Sequence, residues 1–250
     1  VPLNGGLLLS LMICIPVIII AIFAAPHIMA AMNSDPAVVA AATPYLQWRL
    51  VAVAAIGMNF SFRGSWSAAK LAGFYMQTLL LMHVLNVIFS WNLIHGLPAL
   101  GIPALGATGA GIGTTLAIFA GTGIYFMLAF KHAGGGFLHG KPTPEQFRLL
   151  LRQGLPSSVQ QLLFAGGFAA MFWIVGLVGT AELAVTNVLV TLTLSALLPC
   201  MGLGIAAATL CGQAIGRGDI DDAQRWAWDV FKVGSWIFVA MALPMIFLIC

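Results

Sequence analysis

Charge is what this sequence has least of. Ten Lys and Arg and seven Asp and Glu make up 7% of 250 residues, where soluble domains carry about a quarter. With 61% hydrophobic residues, the chain has too little polar surface to stay in water, and an integral membrane protein follows. Nucleic-acid binding is excluded with it, because the net charge is only +3 and the basic residues are scattered between apolar runs. No carboxylate falls inside those runs, so a paired-aspartate intramembrane hydrolase lacks its acids. Neither a His-Glu-x-x-His metal motif nor a recognisable serine and histidine pair replaces them. A Gly-Lys-Ser/Thr phosphate loop is missing too, which removes ATPase chemistry. The four cysteines, Cys14, Cys200, Cys211 and Cys250, sit in apolar runs without metal-ligand spacing and read as buried thiols. The chain is therefore expected to be neither an enzyme nor the holder of a metal or cofactor.

What the sequence does have is long apolar runs. A helix needs roughly 20 such residues to cross a hydrocarbon core about 30 Å thick. Seven runs reach that length, near 7–31, 45–66, 75–96, 108–130, 154–178, 183–213 and 230–250. They are continuous and lack the alternation of barrel strands. The expected fold class is all-α, a polytopic helical bundle. Nine of the ten basic residues fall at the loops after the second, fourth and sixth runs, and only Arg49 lies elsewhere, just inside the second. That bias assigns those loops to the cytoplasm.

The longest polar connection runs from Lys131 to Arg152. Its second half predicts a helix start, with Thr143 as N-cap, Pro144 at the first helical position and Gln146 at the capping-box position. Phe147, Leu150 and Leu151 give that helix an apolar side for the membrane surface. The expected organisation is four spans in 1–130, a cytoplasmic linker in 131–153 and three spans in 154–250. A weak internal echo, LMICIPVIII around Pro16 and VAMALPMIFL around Pro244, lies six spans apart and suggests a parallel repeat. Val1 is not a start methionine and the last apolar run has no polar exit, so a piece of a longer chain is expected.

Polar residues inside the runs are costly in lipid and mark helix contacts or a wet cavity. His83, Asn86 and Ser90 form an i, i+3, i+7 stripe on the third span. A histidine titrates near neutrality, so His83 is a candidate proton carrier; interhelical hydrogen bonding is the plainer role. Gln160 and Gln161 follow Pro156 in the fifth span, and Asn187, Thr191 and Ser195 line one face of the sixth before Pro199. Their oxygens suit a cation or a substrate amine, though simple packing explains them as well. Gly109, Gly113, Ala117 and Gly121, at four-residue spacing on the fourth span, are explained by close helix packing. Trp48, Trp66, Trp91 and Trp226 lie near span ends, where aromatic belts anchor a helix.

Several segments together resemble the multidrug and toxic compound extrusion (MATE) family. They are Tyr45-Leu46-x-x-Arg49, Phe62-Arg63-Gly64, Gly154-Leu155-Pro156, and Glu182-Leu183-Ala184 followed by Pro199, Gly202, Gly204 and the run from Ala206 to Gly216. The resemblance implies two six-helix lobes, of which this chain holds the third to ninth helices. It further implies a bacterial inner-membrane exporter, expected to be a monomer, that moves small organic and often cationic compounds across the bilayer. The exchange would be for H+ or Na+, the coupling ion being the sole cofactor. Asn86 fits a family asparagine, and Thr114 aligns with a threonine facing the first-lobe cavity. Two positions depart from the pattern: Ser90 stands where an acid or amide is frequent, and Phe164 where many members have an acid. A lipid-linked oligosaccharide flippase of the same superfamily is the alternative, disfavoured because Arg49 is the only basic residue well within a span. A seven-helix receptor is less favoured still, since the last span has no interior lysine for a retinal Schiff base.

Overall fold

Each apolar run is a helix. The computed structural model describes residues 2–32, 35–97, 101–133 and 143–249. Its helices are α1 (Pro2–Met32), α2 (Pro36–Ala68), α3 (Ala72–His95), α4 (Gly106–Ala133), α5 (Pro144–Val178), α6 (Thr180–Gly216) and α7 (Ile220–Ile249). Six of them, α1 to α6, are long and apolar enough to cross a membrane among the described residues. The seventh opens with Asp221, Asp222, Arg225, Asp229 and Lys232, ahead of its apolar half.

The helices outrun the apolar stretches because polar caps lie beyond them. Asp35 caps α2, its carboxylate accepting the Ala37 N–H at 2.8 Å with Pro36 at the first position, so α2 begins nine residues before the expected 45. As a result Arg49 and Trp48 lie more than three turns inside α2 instead of at its mouth. The capping box at Thr143 forms as read: the Gln146 N–H donates to Thr143 Oγ1 at 3.3 Å, and the Thr143 N–H to Gln146 Oε1 at 3.2 Å. That helix does not stop before the fifth span. It runs unbroken through Gly154 and Pro156, since a proline removes only the bond to the carbonyl four residues earlier. The Gly-rich part of the connection, 134–142, lies outside the described residues.

Two compact units divide the chain, Val1–Gln153 and Gly154–Cys250. In the first, α2 packs on α1 and α4, and α3 on α4. Its core of Leu7, Phe62, Trp66, Tyr125 and Ala129 gathers where α1 starts, α2 ends, α3 starts and α4 ends. The Gly109, Gly113, Gly121 stripe lets α4 press on α3. A Cβ on Gly113 would stand 2.6 Å from the Ser90 nitrogen, and one on Gly109 would meet the Leu93 carbonyl. Such small-residue contact replaces the hydrophobic drive that lipid cannot supply. Trp66 is 6% exposed and belongs to this core, against the anchoring role expected of it. In the second unit, α6 packs on α7, with Leu203 against Gly234 and the Cys211 thiol donating to the Ala223 carbonyl at 3.3 Å. The α5 helix buries no residue. Of the cysteines, Cys14, Cys200 and Cys211 are half-buried, and Cys250 is outside the described residues.

Candidate functional site

Polar side chains in the first unit tie helices together. Thr115 on α4 donates to the Trp48 carbonyl of α2 at 2.7 Å. One helical face further on, Thr122 donates to Asn59 Oδ1 at 2.9 Å, and Tyr125 donates to the Tyr75 carbonyl of α3 at 3.0 Å. Between α1 and α2, Ser10 donates to the Gly57 carbonyl at 3.1 Å. A fifth tie has a covalent cause: Pro26 lacks the N–H that would bond the Ile22 carbonyl, and Gln47 of α2 reaches across to that oxygen, Nε2 to O 3.3 Å.

The predicted residues divide among these elements. Ser90 meets α4 at Gly113, and Asn86, half-buried, lies one turn before it toward Met82, which packs on Gly121. The Ser90 hydroxyl is buried and without a hydrogen-bond partner. Thr114 is half-buried on α4 beside Gly113, and its hydroxyl donates to the Ala110 carbonyl at 2.9 Å. The α3–α4 contact thus brings Asn86, Ser90 and the Thr114 turn together. His83, three residues before Asn86, is exposed.

In the second unit, Gln160 and Gln161 are exposed on α5. Asn187 and Thr191 are exposed on α6. Thr191 donates to the Asn187 carbonyl and Ser195 to the Thr191 carbonyl, each at 2.8 Å. At about 100° per residue, these three point about 180° away from the Cys200, Leu203, Ala207 and Cys211 side that meets α7. The sequence placed them on one face; the structure adds that it is the face α7 does not cover. With the hydroxyl donors occupied by their own helix, what the face presents outward is oxygen lone pairs and the Asn187 amide.

Thr115, Thr122, Tyr125 and Asn59 escaped the sequence reading. The Gly109, Gly113, Gly121 stripe faces α3, whereas Thr115 and Thr122 lie on the other side of α4 with Gly111, which packs on Tyr45 of α2; that second glycine was the available signal. Among the described residues no group of three His, Cys, Asp or Glu side chains is placed to hold a metal ion. The polar atoms of Asn86, Ser90, Thr114, Asn187 and Thr191 are neutral oxygens and amides, suited to a desolvated cation or a hydrogen-bonding organic molecule.

Long apolar helices that bind one another through glycines and paired hydroxyls define a polytopic helical membrane protein. The MatE family model matches residues 2–92 and 156–250, and the chain belongs to that family. It is 31% identical over 251 residues to the probable multidrug resistance protein NorM of Bradyrhizobium diazoefficiens, covering 98% of this chain and 53% of the relative. It is 28% identical over 247 residues to the protein of that name in Mesorhizobium japonicum, covering 96% and 52%. The chain thus spans about half the length of these curated relatives. Among solved structures, the crystal structure of MATE in the straight conformation superposes with TM-score 0.82 at 22% identity, over 98% of this chain and 55% of that one. The outward-facing conformation of a multidrug resistance MATE family transporter gives 0.80 at 21%. Both show the fold.

Proposed function

We infer that this chain is part of a secondary antiporter that exports organic, often cationic, compounds in exchange for H+ or Na+. Family membership supports transport, and the names of the relatives support multidrug export. The observation that carries the chemistry is the polar face of α6, with Asn187, Thr191 and Ser195 on one side of the helix and α7 packed on the other. Oxygens whose own protons are bound to the helix accept hydrogen bonds only, which favours a protonated amine over an anion. Asn86, Ser90 and Thr114 are the corresponding candidates in the first unit, Gln160 and Gln161 on α5, and His83 is the candidate proton carrier.

The test uses vesicles containing the full-length protein and a fluorescent organic cation. Export should follow an imposed pH or sodium gradient and fall several-fold in Asn187→Leu. Indifference to both gradients rejects secondary coupling. Proton-driven export that survives His83→Ala at equal membrane abundance removes that residue from the proton path and leaves the rest standing.

A further inference from the structure

We propose that the end of the first unit where α2, α3 and α4 meet binds the phosphodiester headgroup of an anionic phospholipid, with Arg63 as its principal ligand and Lys70 and Lys131 flanking. Arg63 is half-buried and held between two rings: its guanidinium carbon is 6.0 Å from the Phe60 centroid and 5.8 Å from that of Tyr75. Tyr75 is itself fixed, stacked on Tyr125 at 5.8 Å with an interplanar angle of 7°. A guanidinium placed by aromatic faces keeps its planar fork of N–H donors for an oxyanion, the geometry that matches phosphate bidentately.

Arg63, Lys70 and Lys131 belong to none of the ion pairs among the described residues, which are Arg217–Asp222 and Lys232–Asp229, both far along the chain from this end. The only acid in residues 1–133 is Asp35, at the opposite end of α2, about 42 Å away from Arg63 along the helix. Lys70, with φ +61°, forms the tight α2–α3 turn, and Lys131 lies in the last turn of α4; both are exposed. Beside them Trp66, Phe74 and His132 make an aromatic floor, with centroids 5.7 Å apart for Trp66–Phe74 and 4.5 Å for Phe74–His132. The Trp66 indole N–H is buried there without an acceptor. Rings at headgroup depth with cations around them complement the negative cytoplasmic leaflet, where a Lys or Arg contributes about 1 kcal/mol, or about fivefold, to anionic-lipid attraction.

The experiment is lipid competition on the purified full-length protein, offered equal amounts of phosphatidylglycerol and phosphatidylcholine and read by native mass spectrometry. Wild type should retain phosphatidylglycerol preferentially. Arg63→Gln should lower the ratio about fivefold and Lys70→Gln/Lys131→Gln at least as far, while Arg225→Gln on α7 should leave it unchanged. Should Arg63→Gln fail to fold, the lysine pair, whose side chains are exposed, carries the test. The assignment is overturned if wild type shows no preference, or if Arg225→Gln lowers the ratio as much as Arg63→Gln. It is also overturned if millimolar glycerol phosphate displaces the lipid as well as excess phosphatidylglycerol does, which would mark a free-anion site.

Discussion

Both units carry polar atoms inside apolar helices, and interhelical hydrogen bonds among hydroxyls distinguish the first from the second. In the first, Tyr125 and Ser10 send their hydroxyls to a neighbouring helix, and Thr115 and Thr122 reach a neighbouring helix as well as the carbonyl four residues back in their own. In the second, Thr191, Thr193, Ser195 and Thr209 bond the carbonyl four residues back in their own helix. Interhelical bonds fix a register, whereas back-bonds satisfy the donor and leave the helix free to change neighbours. Glycines show the same contrast: Gly113 is in backbone contact with α3, while Gly202 and Gly212 of α6 have open space around them. The lesson is that polar residues at similar spacing can lock one bundle and in another line the face opposite a helix contact.

The largest effect should come from Gly113→Leu. Its side chain would enter the space of Ser90, and overpacking of this kind costs about 1–3 kcal/mol or more, visible as a collapse of thermal stability in detergent. Gly202→Leu should melt within about 0.5 kcal/mol of wild type, the usual range for an unhindered surface site; equal losses at both positions would erase the contrast. Next, a double-mutant cycle between Thr122→Val and Asn59→Leu should give a coupling of about 0.6–1.7 kcal/mol, as membrane interhelical bonds do. A value near zero would make that tie ornamental. Thr143→Ala should remove about 1 kcal/mol from the start of α5, read as faster amide exchange in its first turn with the melting of the first unit unchanged. The smallest stability change belongs to Thr191→Val, under about 0.5 kcal/mol, and it sharpens the comparison because cation export should fall while melting stays put.

Much of this architecture is legible in hydropathy alone, since a run of 20 apolar residues has few alternatives to a helix. The ends are less so. The α2 start at Asp35 lies ahead of the apolar run expected from 45, because the cap and the first turns before that run need not be apolar; there Thr43 bonds the Val39 carbonyl within the helix at 2.8 Å. Gly154-Leu155-Pro156 reads as the opening of a span, and the helix that carries it starts earlier, at Pro144, and continues through Pro156 without the bond to the Arg152 carbonyl. The Gly109, Gly113, Gly121 stripe was readable as packing, since small size is a property of the residues themselves. Its partner helix was not. Thr122 and Asn59 are 63 positions apart, and Thr115 and Trp48 are 67; such pairs depend on the register of two helices, which no local pattern encodes. The Asn187, Thr191 and Ser195 face was visible by spacing, but its orientation depended on where α7 packs.

The tie between Pro26 and Gln47 has a consequence for how the sequence can change over generations. While Pro26 is present, replacing Gln47 by an apolar residue strands the Ile22 carbonyl in an apolar setting; once Pro26 has become alanine, the helix bonds that carbonyl itself and the glutamine is dispensable. The two positions can therefore be lost in one order far more easily than in the other. Family members should be poor in the combination of proline at the first position with an apolar residue at the second.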